Sequence, residues 1–474
     1  MILRTYSIQI DGTLIASGTS SNEAQFASGQ ITFATTSNGW NSQTNAGSQF
    51  SYVNINSTSI QSSVPLKVSY CQTSGSIQMG GGSEILDSTT SSTVTVAGSC
   101  TVSDNTMIAP NLASALSITG GSSQISNNHI GGGGSRMTYF PSVGVYTVGA
   151  VQVSQGTAMI QNNIITGPVE VGNSSMVTDN NIDGGVIISD GSPTISNNTI
   201  VGAITVNSGQ APAISQNTIS GSITINSGSP QITDNYVSGN RMNLGIGVSS
   251  SYTGGNVLIA DNYMMDCCYG GAFWSNSGSA TFQYNQITNC QYGMSFSGGT
   301  LTITDNTLQN NTISVVLQNP MTIQALNDNN IVESQQSSIY LDNYTANVDA
   351  TNNWWGTTNQ QVINQTFYDF FNNYNLGIVN FIPFLTAPNS KATPNIPAPS
   401  ALPSTPTPTP ASSTPSQSTP TPTQPSSSVT SPTPTSASSV PELSWLVIVP
   451  LLLSVFSVAV ILRHRKSKVK KVLR

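Results

Sequence analysis

The sequence predicts an all-β solenoid in which short strands wind into a parallel β-helix, and three observations carry that prediction. An apolar residue, an asparagine three places on and an apolar residue two places further recur as PTISNNTI (193–200), PAISQNTI (212–219) and PQITDNYV (230–237). Successive copies lie mostly 17 to 27 residues apart, a period that signals stacked coils. The segments between them, such as AITVNSG (203–209) and SITINSG (222–228), alternate like strands and are too short for helices.

Residues 1–90 are expected to form an N-terminal β region and the first coils, because TYSIQIDGTLIASG (5–18) already alternates. The start MILRTYSIQIDGTLIASG carries no basic-then-apolar export signal. The chain therefore reads as beginning inside a folded region with a piece upstream, or else as a tail-anchored protein facing the cytoplasm. Residues 91–357 hold the repeats, with the asparagine at positions 105, 128, 163, 180, 198, 217, 235, 262, 285, 306, 329 and 353. One gap of 35 residues contains GGGGSRMTYFPSVGVYTVGA (131–150), read as a loop inserted into one coil. Asparagine tolerates the left-handed backbone a tight turn needs, and its amide both donates and accepts hydrogen bonds. Coils stack roughly 4.8 Å apart. Asn198, Asn217, Asn235, Asn262, Asn285 and Asn306 are thus expected to form a ladder that satisfies buried turn groups from coil to coil.

Residues 358–387 read as a C-terminal cap. Trp354 and Trp355 would cover the open end of the solenoid, and Ile363, Phe367, Phe370 and Phe371 have helical spacing. A bare end would expose strand edges to aggregation. Residues 388–440 are a Pro/Thr/Ser tract that cannot pack a core and reads as a stalk, up to about 160 Å long at roughly 3.1 Å per residue. LSWLVIVPLLLSVFSVAVIL (443–462) has no charge and matches a bilayer span of about 30 Å. The basic tail 463–474 places the C-terminus in the cytoplasm, and therefore the solenoid outside, as a single-pass cell-membrane protein.

On these residues the chain resembles the right-handed parallel β-helix repeat proteins of the pectin-lyase-like superfamily, including NosD-like repeat proteins of archaeal surfaces. The resemblance spans about residues 50–387 and is strengthened by DATNNWWGT (349–357), which looks like that family's terminal coil. It implies the fold. It leaves function open, because the superfamily hosts lyases, hydrolases, adhesins and spacers alike. The Pro-Glu-Leu start, apolar span and basic end of the tail also resemble archaeal sorting signals that are cut and replaced.

Composition narrows the function. Only 7% of residues are charged, and before residue 463 five basic side chains face all nineteen acidic ones; such an acidic body argues against nucleic acid as a partner. Six N-x-S/T sequons and the Pro/Thr/Ser tract suit a glycosylated surface. The two histidines, His129 and His464, leave no material for a usual zinc site or a Ser/His/Asp triad. Between residues 90 and 357 only Arg136 and Arg241 could serve as the base of a lyase. Glycoside hydrolysis needs two carboxylates, and Asp234, Asp261 and Asp266 are the weak candidates. An aspartate precedes half of the ladder asparagines, however, which reads more simply as turn capping. Stacked carboxylates could also hold calcium; no other cofactor is expected.

Two coils around 260–297 align at a shift of 23 residues, pairing Cys267 with Cys290, Tyr269 with Tyr292 and Phe273 with Phe296. Tyr263, Tyr269, Trp274, Tyr284 and Tyr292 form either a platform on which sugars stack or a stacked core. Cys267 and Cys290 would lie within disulfide reach in adjacent coils, as a bond or as stacked thiols. The reading is a membrane-anchored surface protein that binds polysaccharide or envelope glycans, with a polysaccharide hydrolase as the alternative.

Overall fold

The computed structural model describes residues 6–138, 144–239, 241–318 and 320–397. Most of the stalk, the apolar segment 443–462 and the basic tail lie outside these residues. Among the described residues no helix is long and apolar enough to cross a membrane.

Short parallel strands wind through three faces in every coil. On the first face Val177, Ile195, Ile214, Ile232, Ile259 and Phe282 lie in register from one coil to the next. After the ladder asparagine the second face continues with Ile182, Ile200, Ile219, Val237, Met264 and Ile287. The third face contributes two inward positions per strand, as in Ile204 and Val206 over Ile223 and Ile225. These side chains are all but fully buried, and each contributes on the order of 2 kcal/mol. A strand of three residues turns one or two side chains inward, and the β-branched residues read in the sequence are the ones that fill the interior.

Several strands exceed the expected three to five residues. Ala24–Phe33, Val53–Ser62, Leu116–Ser126 and Val151–Gln161 each pair on two faces, bending between them without leaving the ladder. The described residues of the insertion at 131–150 include strand pairing where a loop is expected. Gly134–Thr138 pairs antiparallel with Gly144–Val148.

The asparagine column is as expected in its bonds and different in its backbone. Asn217 Nδ2 donates to Ile195 O (2.9 Å), Ser215 O (2.9 Å) and Asn235 Oδ1 (3.0 Å), while its own Oδ1 accepts from the N–H and Nδ2 of Asn198, both at 3.0 Å. The pattern repeats from Asn105 to Asn353. The left-handed residue is the one before each asparagine: Asp104, Asn127, Asn162, Asp179, Asn197, Gln216, Asp234, Asp261, Tyr284, Asp305, Asp328 and Asn352 have φ between 55° and 61°. The asparagine is chosen for its amide, and its neighbour for backbone tolerance. Upstream the column continues with other residue types, since Ser88 N–H donates to Asn105 Oδ1 (2.9 Å) and Cys71 N–H to Ser88 Oγ (3.0 Å). The coils thus extend well before residue 91.

Of the two tryptophans expected to cover the C-terminal end, Trp355 is buried and Trp354 half-buried, and Trp355 lies in an aromatic cluster. It packs edge-on against Phe367, which packs against Phe381, and Ile363 is buried beneath them. The helical spacing of the cap is realised only as one turn, Gln360–Asn364, capped by the Asn359 side chain. Phe367–Tyr368 instead pairs as a strand with Ile339 and Tyr340, because the third face still offers an open edge there. Phe371 is exposed.

The boundary expected at residue 387 is passed without a break. Residues 388–397 run back along the corner between the first and second faces. Asn389 Nδ2 donates to Asp305 Oδ1 (2.9 Å) and Asp328 O (2.6 Å), and its backbone N–H and carbonyl pair with the Asn330 side chain. Thr307 Oγ1 donates to the carbonyl of the fully buried Ala392, Asn395 N–H donates to Asp261 Oδ1 (3.0 Å), and Tyr236 OH reaches Pro397 O. The start of the proline-rich tract is a strap.

Candidate functional site

Four successive third-face strands, Tyr269–Phe273, Tyr292–Ser297, Ile313–Gln318 and Ser337–Asp342, carry an aromatic and polar grouping on the outside of the solenoid. Phe273, Phe296, Leu317 and Leu341 point inward in register. The alternation of a strand then turns Ala272, Ser295, Val316 and Tyr340 outward in one column, with Trp274, Ser297, Gln318 and Asp342 beside them. Three of these outward residues, Ala272, Ser295 and Val316, are nevertheless buried.

Aromatic side chains cover them. The Trp274 indole N–H donates to Ser295 Oγ in the next coil (3.3 Å), so the ring lies along the solenoid over that column. Tyr269 meets Trp274 edge-on at 5.1 Å and stacks on Tyr292 at 4.8 Å and 14°. Farther along, Tyr340 stacks on Tyr368 at 4.5 Å. Burial, Tyr368, Asp342 and Tyr292 together hold the Tyr340 phenol above its usual pKa. Gln318 Nε2 donates to Asp342 Oδ2 (2.6 Å) on the opposite side. The result is a surface with Trp274 at one end, Tyr340 at the other, Tyr292 along one edge and the Gln318–Asp342 pair along the other. The Trp274 side chain is half-buried.

Tyr269, Trp274 and Tyr292 are therefore brought together, and Tyr263 and Tyr284 are not. Tyr263 is buried on the second face, stacked on Tyr236, with its hydroxyl on the strap carbonyl of Ile396 (3.4 Å). Tyr284 occupies a left-handed corner. Tyr340, Tyr368, Gln318 and Asp342 were missed. The ungapped 23-residue alignment stops at residue 297, yet Ser295, Val316 and Tyr340 share one column three coils long, a relation that spacings of 21 and 24 conceal.

The candidate carboxylates fall elsewhere. Asp234 and Asp261 are adjacent left-handed corner residues, and Asp266 is the equivalent residue at the next corner, so turn geometry accounts for all three. Asp261 is also engaged by the strap. Burial and then Asp234 push Asp261 up, opposed by the Asn395 N–H; burial and Asp305 push Asp328 up. Raised folded values mean a cost that is present when both groups are ionised and absent below the unfolded carboxylate value of about 3.9. The thermal midpoint of the wild type is expected to rise more on acidification from pH 7 than that of Asp261→Asn/Asp328→Asn, which is the more stable form at pH 7. A double variant less stable at pH 7 would contradict this. Among the described residues no group of three or more His, Cys, Asp or Glu is placed to hold a metal.

All five cysteines are free. Cys267 N–H faces Cys290 Sγ (3.4 Å), Cys290 N–H donates to Asn311 Oδ1 (2.9 Å), and the two thiols donate to Met265 O and Thr288 O. The Cys267 side chain beside it and burial hold the Cys290 thiol well above its usual pKa, against the Cys267 N–H, which lowers it. Cys290 thus accepts a backbone N–H from the preceding coil at the second corner, as asparagine does at the first.

A family model described as the right handed beta helix region matches residues 202–355, the coils that carry this surface. The chain is a right-handed parallel β-helix protein. This β-helix fits the pectin-lyase-like superfamily in general, and the match includes Trp274, Tyr292 and Tyr340 but ends before the strand of Tyr368. A search of the curated proteins and a search of the solved structures each returned no match.

Proposed function

We propose that this β-helix protein binds glycans through the third-face surface of Trp274, Tyr292, Tyr340, Gln318 and Asp342, and that it does so as a component of a cell envelope. The observation that carries the reading is the Trp274 indole, held over Ala272 and Ser295 by its bond to Ser295 Oγ and flanked by hydrogen-bonding groups on both sides. An aromatic face with polar groups at its rim suits a sugar ring, whose C–H face is apolar and whose edge is hydroxylated. Attachment through 443–462, with the solenoid on the outer side, is supported by the uncharged length of that segment and the basic residues after it. The strap, which tethers the proline-rich tract to the solenoid flank, is compatible with display on such a stalk.

Retention of the full chain on immobilised plant and microbial polysaccharides tests the proposal. Trp274→Ala is expected to weaken retention at least tenfold, and Trp274→Phe to keep part of it, because the phenyl ring still stacks. Unchanged retention in Trp274→Ala would refute the site. New reducing ends released during the incubation would replace binding by hydrolysis.

A further inference from the structure

A second surface lies on the second face near the N-terminal end. Asn54, Gln72 and Thr89 occupy one outward column, and with Asn56, Ser74 and Ser91 they line an open cleft of about 260 Å³. None of these six side chains is charged. Ser74 Oγ donates to Asn56 Oδ1 (2.9 Å) and Gln72 Nε2 to Glu23 Oε1 (3.3 Å), which orients the two amides.

The adjoining corner is built against backbone preference. The left-handed position before each ladder residue holds Asp, Asn or Gln in most later coils, but here it holds Tyr52 (φ 52°) and Tyr70 (φ 55°). A bulky residue at positive φ is strained, and strain that persists points to function. The rings stack at 4.8 Å and 7°, and Tyr70 is 47% exposed, with the Asp87 carboxylate close enough to raise its phenol pKa.

We infer that this cleft, with Tyr52 and Tyr70 at its edge, is a second binding site for an uncharged, hydroxyl-rich chain, that is, a neutral glycan. Amides and hydroxyls donate and accept at once, as vicinal diols require, and the uncharged lining holds no cation for an acidic sugar. The cleft lies nine coils from the Gly271 strand, roughly 43 Å at about 4.8 Å per coil. One long polysaccharide could then engage both sites and gain avidity.

The test uses the full chain with neutral cellohexaose, laminarihexaose and mannohexaose, and with acidic hexagalacturonate, followed by calorimetry. In the Trp274→Ala background a neutral hexaose is expected to bind still, and Asn54→Ala/Gln72→Ala to weaken it at least tenfold. Tyr70→Asn supplies a residue suited to the left-handed corner. It is expected to lower affinity while leaving the thermal midpoint unchanged or higher, whereas a purely structural stack predicts a lower midpoint and unchanged affinity. If Trp274→Ala alone abolishes binding of every neutral hexaose, or if hexagalacturonate is the better ligand of this cleft, the second site is overturned while the third-face reading stands.

Discussion

Asn217→Ala is expected to destabilise the solenoid by about 3 to 5 kcal/mol, far more than loss of a small polar side chain usually costs. Asn217 is fully buried, and its amide makes five bonds that span three coils. Alanine leaves the Asn198 N–H without its acceptor and takes one partner each from Asn198 Nδ2, Ile195 O and Asn235 Oδ1, of which Asn235 Oδ1 keeps the Asn217 backbone N–H. Each buried polar group left unpaired costs about 1 to 3 kcal/mol, and close packing admits little water in compensation. Asn217→Ser should cost roughly half as much, because serine already fills the ladder at Ser88, where it accepts from the coil before and donates to a carbonyl. Since coils contact only their neighbours, the loss should appear first as faster hydrogen exchange in the coils of Asn198 and Asn235. Uniform exchange along the solenoid, with a midpoint shift worth less than about 1 kcal/mol, would show that the ladder is not what joins the coils.

Trypsin should leave the Lys391–Ala392 bond of the native protein nearly intact and cut it at least ten times faster in Ala392→Asp. Lys391 is the only Lys or Arg between Arg241 and Arg463, so this one cleavage reports the strap. Ala392 has no exposed surface, and the Lys391 N–H is bonded to Asn389 Oδ1 (3.0 Å). Cleavage therefore requires local opening. An aspartate at 392 would take a position with no exposed surface, and such a buried carboxylate neutralises itself or leaves the groove. Asn389→Ala removes the bonds to Asp305 and Asp328 O and should produce a smaller acceleration of the same sign. Fast cleavage of the wild type, unchanged by either substitution, would mean that the strap does not stay docked in solution.

The sequence by itself determined the coil. Period, apolar residue, asparagine and apolar residue are local and repeat, so each copy reinforces the reading, and the register of the inward columns follows from the ladder position alone. The cap was legible at Trp355 for the same reason: the repeat stops there and large apolar residues accumulate. Only the tertiary structure decided what faces outward together. Ala272, Ser295 and Tyr340 belong to three coils of different length, and their column, with Trp274 beside it, is visible only once the turns have absorbed the extra residues. Likewise Asn389, Ala392 and Asn395 sit in a tract whose composition cannot build a core. They are ordered because the solenoid corner, already rigid, offers them Asn330, Asp305, Thr307 and Asp261. Local pattern sets which residues turn inward; long-range stacking sets which outward residues become neighbours, and the candidate sites are made of those.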